Sequence, residues 1–547
     1  MGKKMKKLFG LLLVFCMIFN LTACGGKNKD VSSGGGNEAT ADTSAGETGG
    51  AGDTGQETGA VDTSEHITIK FVVLGDKPTN GQFETVMTEL NKKLTEKANA
   101  ELELQWVEWA DWQTQYNLLL ASGDSTIDLI GTATDWLDAW PNAKKGAFLE
   151  LTEDLLKTYA PKTYASVSKE HWDMCKLNGK IYLIPEDNYA QWTNHGFMYR
   201  GDWAKQFGLT NGVHSFQELG QYFAGIKANY PDVIPWDAAA SGQAFGSQLA
   251  GGYFQSNTGT LFIDGLDVPI FYGASKDDLF TLVSPYMEGQ EYIDFAKMMK
   301  EWADAGYWRE DVLNYTGDTR EEMYAGQTGA DQHHTQTYYT TVRPQMDIKQ
   351  PGSEVQFFSF SEPSKNLMNL VITHGALAVG AASKHPERAL MVYDLLRNDE
   401  EIYRLFNYGI DGVNYIINDQ GKLDRPEGYV KETDEFFSNF WYGRNDDLEL
   451  DNATWYEGKD AIFADYASYA IDYPYSQLVF DTDDISSYLA NMSNVFTSYV
   501  TAIAFGKAGD PEQAVSDFRA AMKDAGYDEV YKVLQEQLTA YKTYLGK

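Results

Sequence analysis

The N-terminus has the composition of an export signal, and this restricts where a folded domain can begin. Four lysines lie among the first seven residues and precede an apolar run over residues 8–19. A basic start followed by a short apolar segment is typical of a secretory signal, and the run is shorter than the roughly 20 residues that a membrane-spanning helix needs. A buried core helix is a poor alternative, because the run leads directly into a polar, glycine-rich tract. Residues 1–23 are therefore predicted to be a signal peptide that is removed after export.

A polar tract separates this signal from the rest of the chain. Residues 25–64 are built from Gly, Ser, Thr, Asp, Glu and Asn and contain almost no large apolar side chain. Such a segment cannot bury enough apolar surface to offset the entropy lost on ordering. Residues 24–65 are therefore predicted to be a disordered tether with a root-mean-square span of about 35 Å.

The residues at the predicted cleavage point suggest how the tether begins. The order Leu-Thr-Ala-Cys at residues 21–24 resembles the bacterial lipobox. The resemblance implies that the sulfur of Cys24 carries a diacylglyceryl group and that Cys24 becomes the new N-terminus. It also implies a protein that is anchored by lipid to the extracytoplasmic face of the bacterial cell membrane.

Length and charge limit the architecture and the partners of the remaining chain. Roughly 480 residues follow the tether, which is more than one hydrophobic core usually serves, so at least two lobes are expected. The chain has 44 Lys and Arg against 79 Asp and Glu, a formal net charge of −35. This charge makes nucleic acid and anionic lipid poor partners. A neutral or cationic ligand is favoured.

Cysteine usage excludes two further kinds of structure. Of the three cysteines, Cys16 would leave with the signal and Cys24 would carry lipid, so that Cys175 remains alone. No intramolecular disulfide, Cys-x-x-Cys motif or cysteine-based zinc site is therefore expected.

Hydrophobic periodicity after residue 66 predicts an α/β fold. Apolar residues over 67–74 indicate a strand that is buried on both faces. Helical spacing follows over 83–94, then an alternating strand at 102–106, a helix around 116–120 and a short strand at 127–130. This βαβαβ order predicts a parallel sheet that is flanked by helices.

Several later segments resemble one known family. They are residues 178–185 (NGKIYLIP), 198–203 (MYRGDW), 381–389 (AASKHPERA) and 408–415 (YGIDGVNY). Their order resembles that of bacterial extracellular solute-binding proteins of family 1, in the carbohydrate-importer branch of LplA-like lipoproteins. That branch often has Glu where this chain has Asp411. The resemblance implies two α/β lobes, each with a mainly parallel sheet flanked by helices. It also implies hinge strands between the lobes, and delivery of a ligand to the permease subunits of an ABC transporter.

The expected lobe boundaries follow from these segments. Lobe one is expected to hold residues 66–190 and about 361–405, and lobe two about 191–360 and about 406–547. The apolar run over residues 370–382 is interpreted as a buried strand that returns the chain to lobe one. His374, within this run, is interpreted as a core or hinge histidine.

Aromatic residues favour a sugar as the ligand. The chain contains 13 Trp and 34 Tyr, and many of them lie beside acidic or amide residues at predicted loop ends, including the segment 441–445. A pyranose has an apolar face of C–H bonds ringed by hydroxyls, so its pocket needs an aromatic platform with polar groups at the edge. The alternative is a purely structural role, in which each aromatic residue packs within a lobe beside a solvated carboxylate. The candidate ligand-binding residues are Trp109, Asp111, Trp112, Asp135, Trp136, Asn188, Trp192, Trp236 and Tyr415.

Other functions receive less support from the sequence. No Gly-Lys pair is followed by Ser or Thr, so an ATP-binding P-loop is absent, and neither a Gly-x-Ser-x-Gly elbow nor a His-Glu-x-x-His helix occurs. His333, His334 and the acids at 446–451 lack the spacing of a calcium loop, so no metal and no cofactor are expected. The predicted function is capture of a carbohydrate of the oligosaccharide class for an ABC importer, without enzymatic activity. The alternatives are a secreted glycoside hydrolase and a glycan-binding surface adhesin without a transport role.

Overall fold

The computed structural model describes residues 62–187, 195–239, 245–266 and 268–547. The predicted signal peptide, Cys24 and the predicted tether up to residue 61 lie outside the described residues, as do Asn188 and Trp192. Within the described ranges, no helix is long and apolar enough to cross a membrane.

The strands fall into one larger sheet and several small ones. The larger sheet has the order β2-β1-β3-β13-β6, and the second lobe contains the three-stranded sheets β11-β7-β12 and β10-β9-β8. The strands are β1 (Ile67–Leu74), β2 (Ala100–Val107), β3 (Leu129–Thr132), β4 (Lys176–Leu177), β5 (Lys180–Ile181), β6 (Ile184–Pro185), β7 (His195–Tyr199), β8 (Leu261–Phe262), β9 (Tyr272–Gly273), β10 (Leu282–Val283), β11 (Ala330–His334), β12 (Gln356–Ser359), β13 (Ala376–Val379), β14 (Ile416–Ile417) and β15 (Leu423–Asp424).

Helices cover the sheets and form most of the second lobe. The helices are α1 (Gln82–Ala98), α2 (Trp112–Ala121), α3 (Ala139–Lys144), α4 (Glu153–Tyr159), α5 (Pro161–Ser166), α6 (Lys169–Met174), α7 (Gly201–Gln206), α8 (Phe216–Asn229), α9 (Phe245–Asn257), α10 (Glu291–Asp304), α11 (Thr319–Tyr324), α12 (Thr335–Thr337), α13 (Arg343–Lys349), α14 (Pro386–Asn398), α15 (Glu400–Tyr408), α16 (Lys431–Asp434), α17 (Lys459–Ala467), α18 (Ser486–Ala504), α19 (Pro511–Asp524) and α20 (Tyr527–Tyr544).

The first lobe confirms the predicted βαβαβ start. β1 pairs in parallel with β2 over its whole length and with β3 on its other side. β13 then returns to this sheet, antiparallel to both β3 and β6. The predicted return strand is therefore present, although its regular part covers only four of the thirteen residues in the apolar run over 370–382.

Lobe one extends further along the chain than expected. Phe436, Phe440 and Tyr442 belong to the same buried core as β1, β3 and α14. The Tyr442 ring packs so closely over β3 that a Cβ at Gly131 would collide with it, and its backbone carbonyl accepts a hydrogen bond from the Tyr393 hydroxyl at 2.7 Å. The expected boundary at about residue 406 is therefore wrong, because these aromatic rings seal the core of the first lobe.

The second lobe differs from the expected mainly parallel sheet. β7 pairs antiparallel with both β11 and β12, and β9 pairs antiparallel with β8 and β10. Its core consists largely of aromatic rings and helices, including the C-terminal helices α18, α19 and α20. Asp510 caps α19 by accepting a hydrogen bond from Gln513 N at 2.8 Å. The α/β class is confirmed, but the sheets of this lobe are short and antiparallel, and helices contribute many of its core residues.

Candidate functional site

A cavity of about 560 Å³ is lined by side chains from both lobes. The first lobe contributes residues that follow its sheet strands and residues from the segment 437–449. The second lobe contributes residues beside β11 and α12. The lining includes Trp136, Glu186, His374, Trp441 and Arg444 from the first lobe, and His334, Gln336, Tyr339 and Trp455 from the second lobe.

Four tryptophans form a cluster at the first-lobe wall of this cavity. The Trp109 and Trp441 rings stack with centroids 5.6 Å apart and an interplanar angle of 20°. Trp136 lies 6.2 Å from Trp441 and 5.5 Å from Trp112. Trp109 and Trp441 are both 38% exposed. The cluster therefore presents indole surface to solvent while its inner members pack against the core.

The local fold explains why three of these tryptophans meet. Trp109 lies in a short 3-10 turn immediately after β2, and Trp112 begins α2. Trp136 lies in the loop that follows β3. Because β2 and β3 flank β1 in parallel, their carboxyl ends share one edge of the sheet, where α/β proteins commonly bind ligands.

His374 connects this tryptophan wall to the hinge. Trp136 Nε1 donates a hydrogen bond to the His374 carbonyl at 3.0 Å, and His374 Nδ1 lies 2.6 Å from Asp135 Oδ2. Burial alone would lower the pKa of His374, but the charge and hydrogen bond of Asp135 outweigh it and raise the pKa. Histidine and aspartate thus form an ion pair that fixes the loop after β3 against the segment that leads into β13.

Glu186 lies at the floor of the cavity. The residue is only 3% exposed, and no hydrogen bond joins its carboxyl to another described residue. Burial raises its pKa to about 8, although the charges of His374, Arg444 and Arg397 act in the opposite direction. The carboxyl group is therefore predominantly protonated at neutral pH and can donate as well as accept a hydrogen bond.

His334 lines the opposite wall of the cavity, and His195 and His333 pack beside it. His195 begins β7, and His333 and His334 end β11, with the ring centroids of His333 and His334 4.1 Å apart. Burial lowers the pKa of His195 to about 4 and that of His333 to about 3. In the described part of the chain, no group of three or more His, Cys, Asp or Glu residues is arranged to hold a metal ion.

A second, smaller cavity of about 350 Å³ lies beside the segment 366–371, and Asp135 lines it together with Asp264 and Tyr473. Burial, and secondly the charge of Asp135, raise the pKa of Asp264 to about 8. The hinge side of the cleft thus contains two carboxyl groups, those of Glu186 and Asp264, with strongly raised pKa values.

The structure brings together only part of the predicted site. Trp109, Trp112, Asp135 and Trp136 lie in or beside the tryptophan wall. Asp111 lies in the same 3-10 turn, but its side chain is outside what the structure describes, as are Asn188 and Trp192.

Two predicted residues lie elsewhere. Trp236 is fully buried in the second core, with its ring centroid 4.9 Å from that of Phe197, so it cannot present a face to a ligand in this cavity. Tyr415 is 5% exposed and packs on Tyr408, which itself lines the cavity.

Sequence reasoning did not select Glu186, His374, Trp441 or Arg444 as ligand residues. Trp441 and Arg444 belong to the segment 441–445, which is rich in aromatic and polar residues. This segment lies far along the chain from the strands of the first lobe, so the sequence does not indicate that it joins that lobe. Glu186 directly follows the strand β6 at the end of the first lobe. The available signal was an acidic residue directly after an apolar strand.

Comparison with known proteins identifies the family. The family model described as bacterial extracellular solute-binding protein matches residues 77–401. This chain belongs to that family. Residues 474–543, which include the C-terminal helices of the second lobe, match a domain of unknown function, DUF3502. Members of the family act outside the cytoplasm.

Two curated relatives extend the similarity beyond the family model. The chain is 25% identical over 508 residues to a "Carbohydrate ABC transporter substrate-binding protein" of Streptococcus pneumoniae serotype 4, covering 89% of this chain and 92% of the relative. It is 24% identical over 358 residues to the "Polygalacturonan/rhamnogalacturonan-binding protein YtcQ" of Bacillus subtilis strain 168, covering 62% of this chain and 66% of the relative.

Solved structures share the fold. The N-glycan transport solute-binding protein NgtS of Streptococcus pneumoniae, in complex with Man1GlcNAc, superimposes with a TM-score of 0.66 at 21% identity over 88% of this chain and 100% of that chain. The alginate-binding protein AlgQ2 without calcium ion superimposes with a TM-score of 0.63 at 18% identity over 87% of this chain and 98% of that chain. The solute-binding protein is thus folded like known two-lobed receptors.

Proposed function

We propose that this solute-binding protein captures a carbohydrate, in class an oligosaccharide, and delivers it to an ABC transporter permease. The observation that carries the proposal is the tryptophan wall, which combines indole surface with the Asp135–His374 ion pair and the Glu186 carboxyl. Aromatic faces bind the C–H face of a sugar ring, and convergent polar groups bind its hydroxyls. The printed name of the Streptococcus pneumoniae relative supports the same class of ligand.

The cavity offers contacts for more than one sugar ring. Its volume of about 560 Å³ falls within the range of roughly 300–1,000 Å³ that ligand pockets usually have. Trp136 and Trp441 line one side of the cavity, and Tyr339 and Trp455 line the other. The ring centroids of Tyr339 and Trp455 are 5.7 Å apart. Two separate aromatic surfaces support binding of an oligosaccharide rather than a single ring.

Lobe closure is the proposed mechanism of capture. β6 belongs to the first lobe and β7 to the second, and the segment between β12 and β13 connects the lobes again. A ligand that contacts both walls stabilises a closed arrangement, because it gains contacts there that the open arrangement lacks. The permease would recognise the closed, loaded receptor.

Ligand binding gives the direct test of this function. We expect neutral oligosaccharides, screened as a mannose–N-acetylglucosamine disaccharide, kestose and galactotriose, to include at least one that raises the melting temperature. A ligand at a hundredfold excess over its Kd stabilises the native state by about 2.7 kcal/mol. Small-angle scattering at saturation should show a smaller radius of gyration.

Two results would contradict the proposal in different ways. Release of smaller sugars during incubation, detected by chromatography, would favour the glycoside hydrolase. Tight binding with an unchanged scattering profile would favour the adhesin, which retains glycan without closing.

We further propose that the protein is held at the membrane by a lipid on Cys24. The motivation is the Leu-Thr-Ala-Cys order at residues 21–24, followed by the polar tract. The substitution Cys24→Ser is expected to move the protein out of the membrane fraction or to leave the signal uncleaved. Mass spectrometry of the wild-type N-terminus provides the check, because a lipid-free N-terminus at another residue would exclude this anchor.

A further inference from the structure

The backbone of Glu186 is held by hydrogen bonds, whereas its carboxyl group has no hydrogen-bond partner among the described residues. Its backbone N–H donates to the Gly375 carbonyl at 2.7 Å, and its own carbonyl accepts a hydrogen bond from Arg397 Nη2 at 3.0 Å. Gly375 lacks a Cβ, which would collide with the Glu186 carboxyl and with the Trp441 carbonyl. The local structure therefore makes room for this carboxyl group and directs it into the cavity.

The nearby cations are already paired. His374 is held by Asp135 at 2.6 Å, and Arg444 Nε lies 3.1 Å from Asp446 Oδ1. Arg397 is directed at backbone carbonyls. Consequently, Glu186 has no ion-pair partner among the described residues, and it remains a buried acid that faces the ligand space.

We propose that Glu186 is a specificity-determining ligand residue, which hydrogen-bonds a hydroxyl of an uncharged sugar and disfavours a uronate carboxylate. This inference rests on the proposed function and deepens it. A protonated carboxyl group can donate to one hydroxyl oxygen and accept from another hydroxyl group. A uronate would lose its hydration beside Glu186 and Glu449, where the cations are already engaged, and burying a charge without a partner is strongly unfavourable.

The proposal separates this chain from one of its relatives. The Bacillus subtilis relative is named for binding polygalacturonan and rhamnogalacturonan, and polygalacturonan is a polyanion. The cavity described above favours a neutral glycan instead. Similarity at 24% identity is compatible with a change in ligand charge, because a few side chains at the cavity floor determine it.

The first experiment tests the state of Glu186 without a ligand. The raised pKa of about 8 in the native state means that the native state holds a proton between about pH 4.5 and pH 8 that the unfolded state has released. This contribution to stability is complete below about pH 4.5 and is lost as the pH rises through about 8. Glu186→Gln cannot titrate, so its melting temperature should rise relative to wild type as the pH increases from 5 to 8.

A matched control makes the same substitution at an exposed position. Glu536, an exposed residue of α20, is replaced in Glu536→Gln, and its melting curve should stay parallel to that of wild type across the same pH range. Parallel curves for Glu186→Gln as well would show that the native state does not raise the pKa of Glu186, and would overturn the proposal. Asp264 titrates in the same range but is present in all three proteins, so it does not affect the differences.

The second experiment tests selectivity with matched sugars. Galactotriose and trigalacturonate, both with α-1,4 linkages, differ only in carrying CH₂OH or COO⁻ on each ring. Calorimetry should show that galactotriose, or another member of the neutral screen, binds at least tenfold more tightly than trigalacturonate. Affinity of the wild type for the neutral sugar should fall between pH 7 and pH 9, whereas that of Glu186→Gln should not. Glu186→Ala should bind it about tenfold more weakly at pH 7.

The outcomes separate this inference from the proposed function. Binding of trigalacturonate as tight as, or tighter than, every neutral sugar would overturn the selectivity of Glu186 and leave carbohydrate capture standing. Identical pH profiles of affinity for wild type and Glu186→Gln would also overturn the role of Glu186. Failure of every neutral and uronate sugar to bind would overturn the proposed function, and the proposal for Glu186 with it.

Discussion

Replacement of Trp441 by alanine is expected to weaken oligosaccharide binding by at least about tenfold, because truncation of a central aromatic contact usually loses on the order of 2 kcal/mol. Trp441 lines the cavity, and one side of its ring stacks on Trp109. Since the side chain is already 38% exposed, its removal should change the melting temperature of the ligand-free protein only slightly. Calorimetric titration with the neutral sugar that emerges from the screen measures the change.

Trp441→Ala gives a clearer result than Trp136→Ala. Trp136 is only partly exposed, packs on Trp112 and donates a hydrogen bond to the His374 carbonyl. Its removal would therefore loosen the hinge side of the site and lower stability as well as affinity. Trp136→Phe, which keeps an aromatic ring but loses the indole donor, separates the two contributions.

An aromatic residue of similar exposure outside the cavity provides the control. Tyr488 on α18 is 39% exposed, and Tyr488→Ala should leave oligosaccharide affinity within about twofold of wild type. If Trp441→Ala binds as tightly as wild type, the tryptophan wall is a packing feature of the first lobe. If it loses stability with affinity intact, the same conclusion follows.

The first lobe was predictable because its signals are local. β1 and α1 carry long, regular patterns over 67–74 and 83–94, and their order requires a parallel sheet. That sheet in turn places the residues after β2 and β3 at one edge, so Trp109, Trp112 and Trp136 could be brought together from sequence alone. Each step depends on neighbouring residues or on general rules for parallel strands.

The second lobe was less predictable because its pairings are short and distant. β8, β9 and β10 are two residues long, which is too short for an alternating pattern to be recognised. β7 pairs with two strands that lie more than a hundred residues further along the chain. The direction of such pairings depends on tertiary packing, so an antiparallel arrangement could not be read from hydrophobic periodicity.

The same limit explains the errors in the predicted site. Trp236 precedes an aspartate, as Trp109 nearly does, but it packs against Phe197 and Phe505 in the second core. Composition around a tryptophan does not distinguish a ligand platform from a core residue. Trp441 reaches the first lobe only because Phe436, Phe440 and Tyr442 anchor the surrounding segment there, which is a consequence of packing over more than 300 residues of intervening chain.

Net charge and the cavity disfavour an anionic ligand for different physical reasons. A formal charge of −35 disfavours anionic partners through the field of the whole protein, and this field is screened within about 10 Å at ordinary salt. The cavity adds a local argument, because His374 and Arg444 are already held by carboxylates. Selection against a uronate should therefore persist at high salt, where long-range repulsion is weak.

Two buried arginines of one helix differ in what they hold in place. A comparison of their variants therefore separates an effect on the binding site from an effect on the stability of the fold. Arg388 and Arg397 both lie on α14 and are 6% and 3% exposed. Arg397 Nη1 donates to the Pro185 carbonyl at 2.8 Å, and Nη2 donates to the Glu186 carbonyl at 3.0 Å. Arg388 instead donates to the carbonyls of Ala98 at 2.7 Å and Asp62 at 2.6 Å, close to the start of the folded chain.

Arg388→Met and Arg397→Met should each lower the free energy of unfolding by about 3 kcal/mol, because each leaves buried carbonyl oxygens without a donor. Only Arg397→Met should also weaken oligosaccharide binding, by at least about tenfold or 1.4 kcal/mol. The reason is that this substitution releases the backbone that holds Glu186. Thermal melts measure the loss of stability of each variant, and calorimetry below its melting temperature measures the loss of affinity. Equal losses of affinity in the two variants would mean that Arg397 acts only through global stability. A loss of affinity confined to Arg397→Met would identify Arg397 as a residue that positions Glu186 in the cavity.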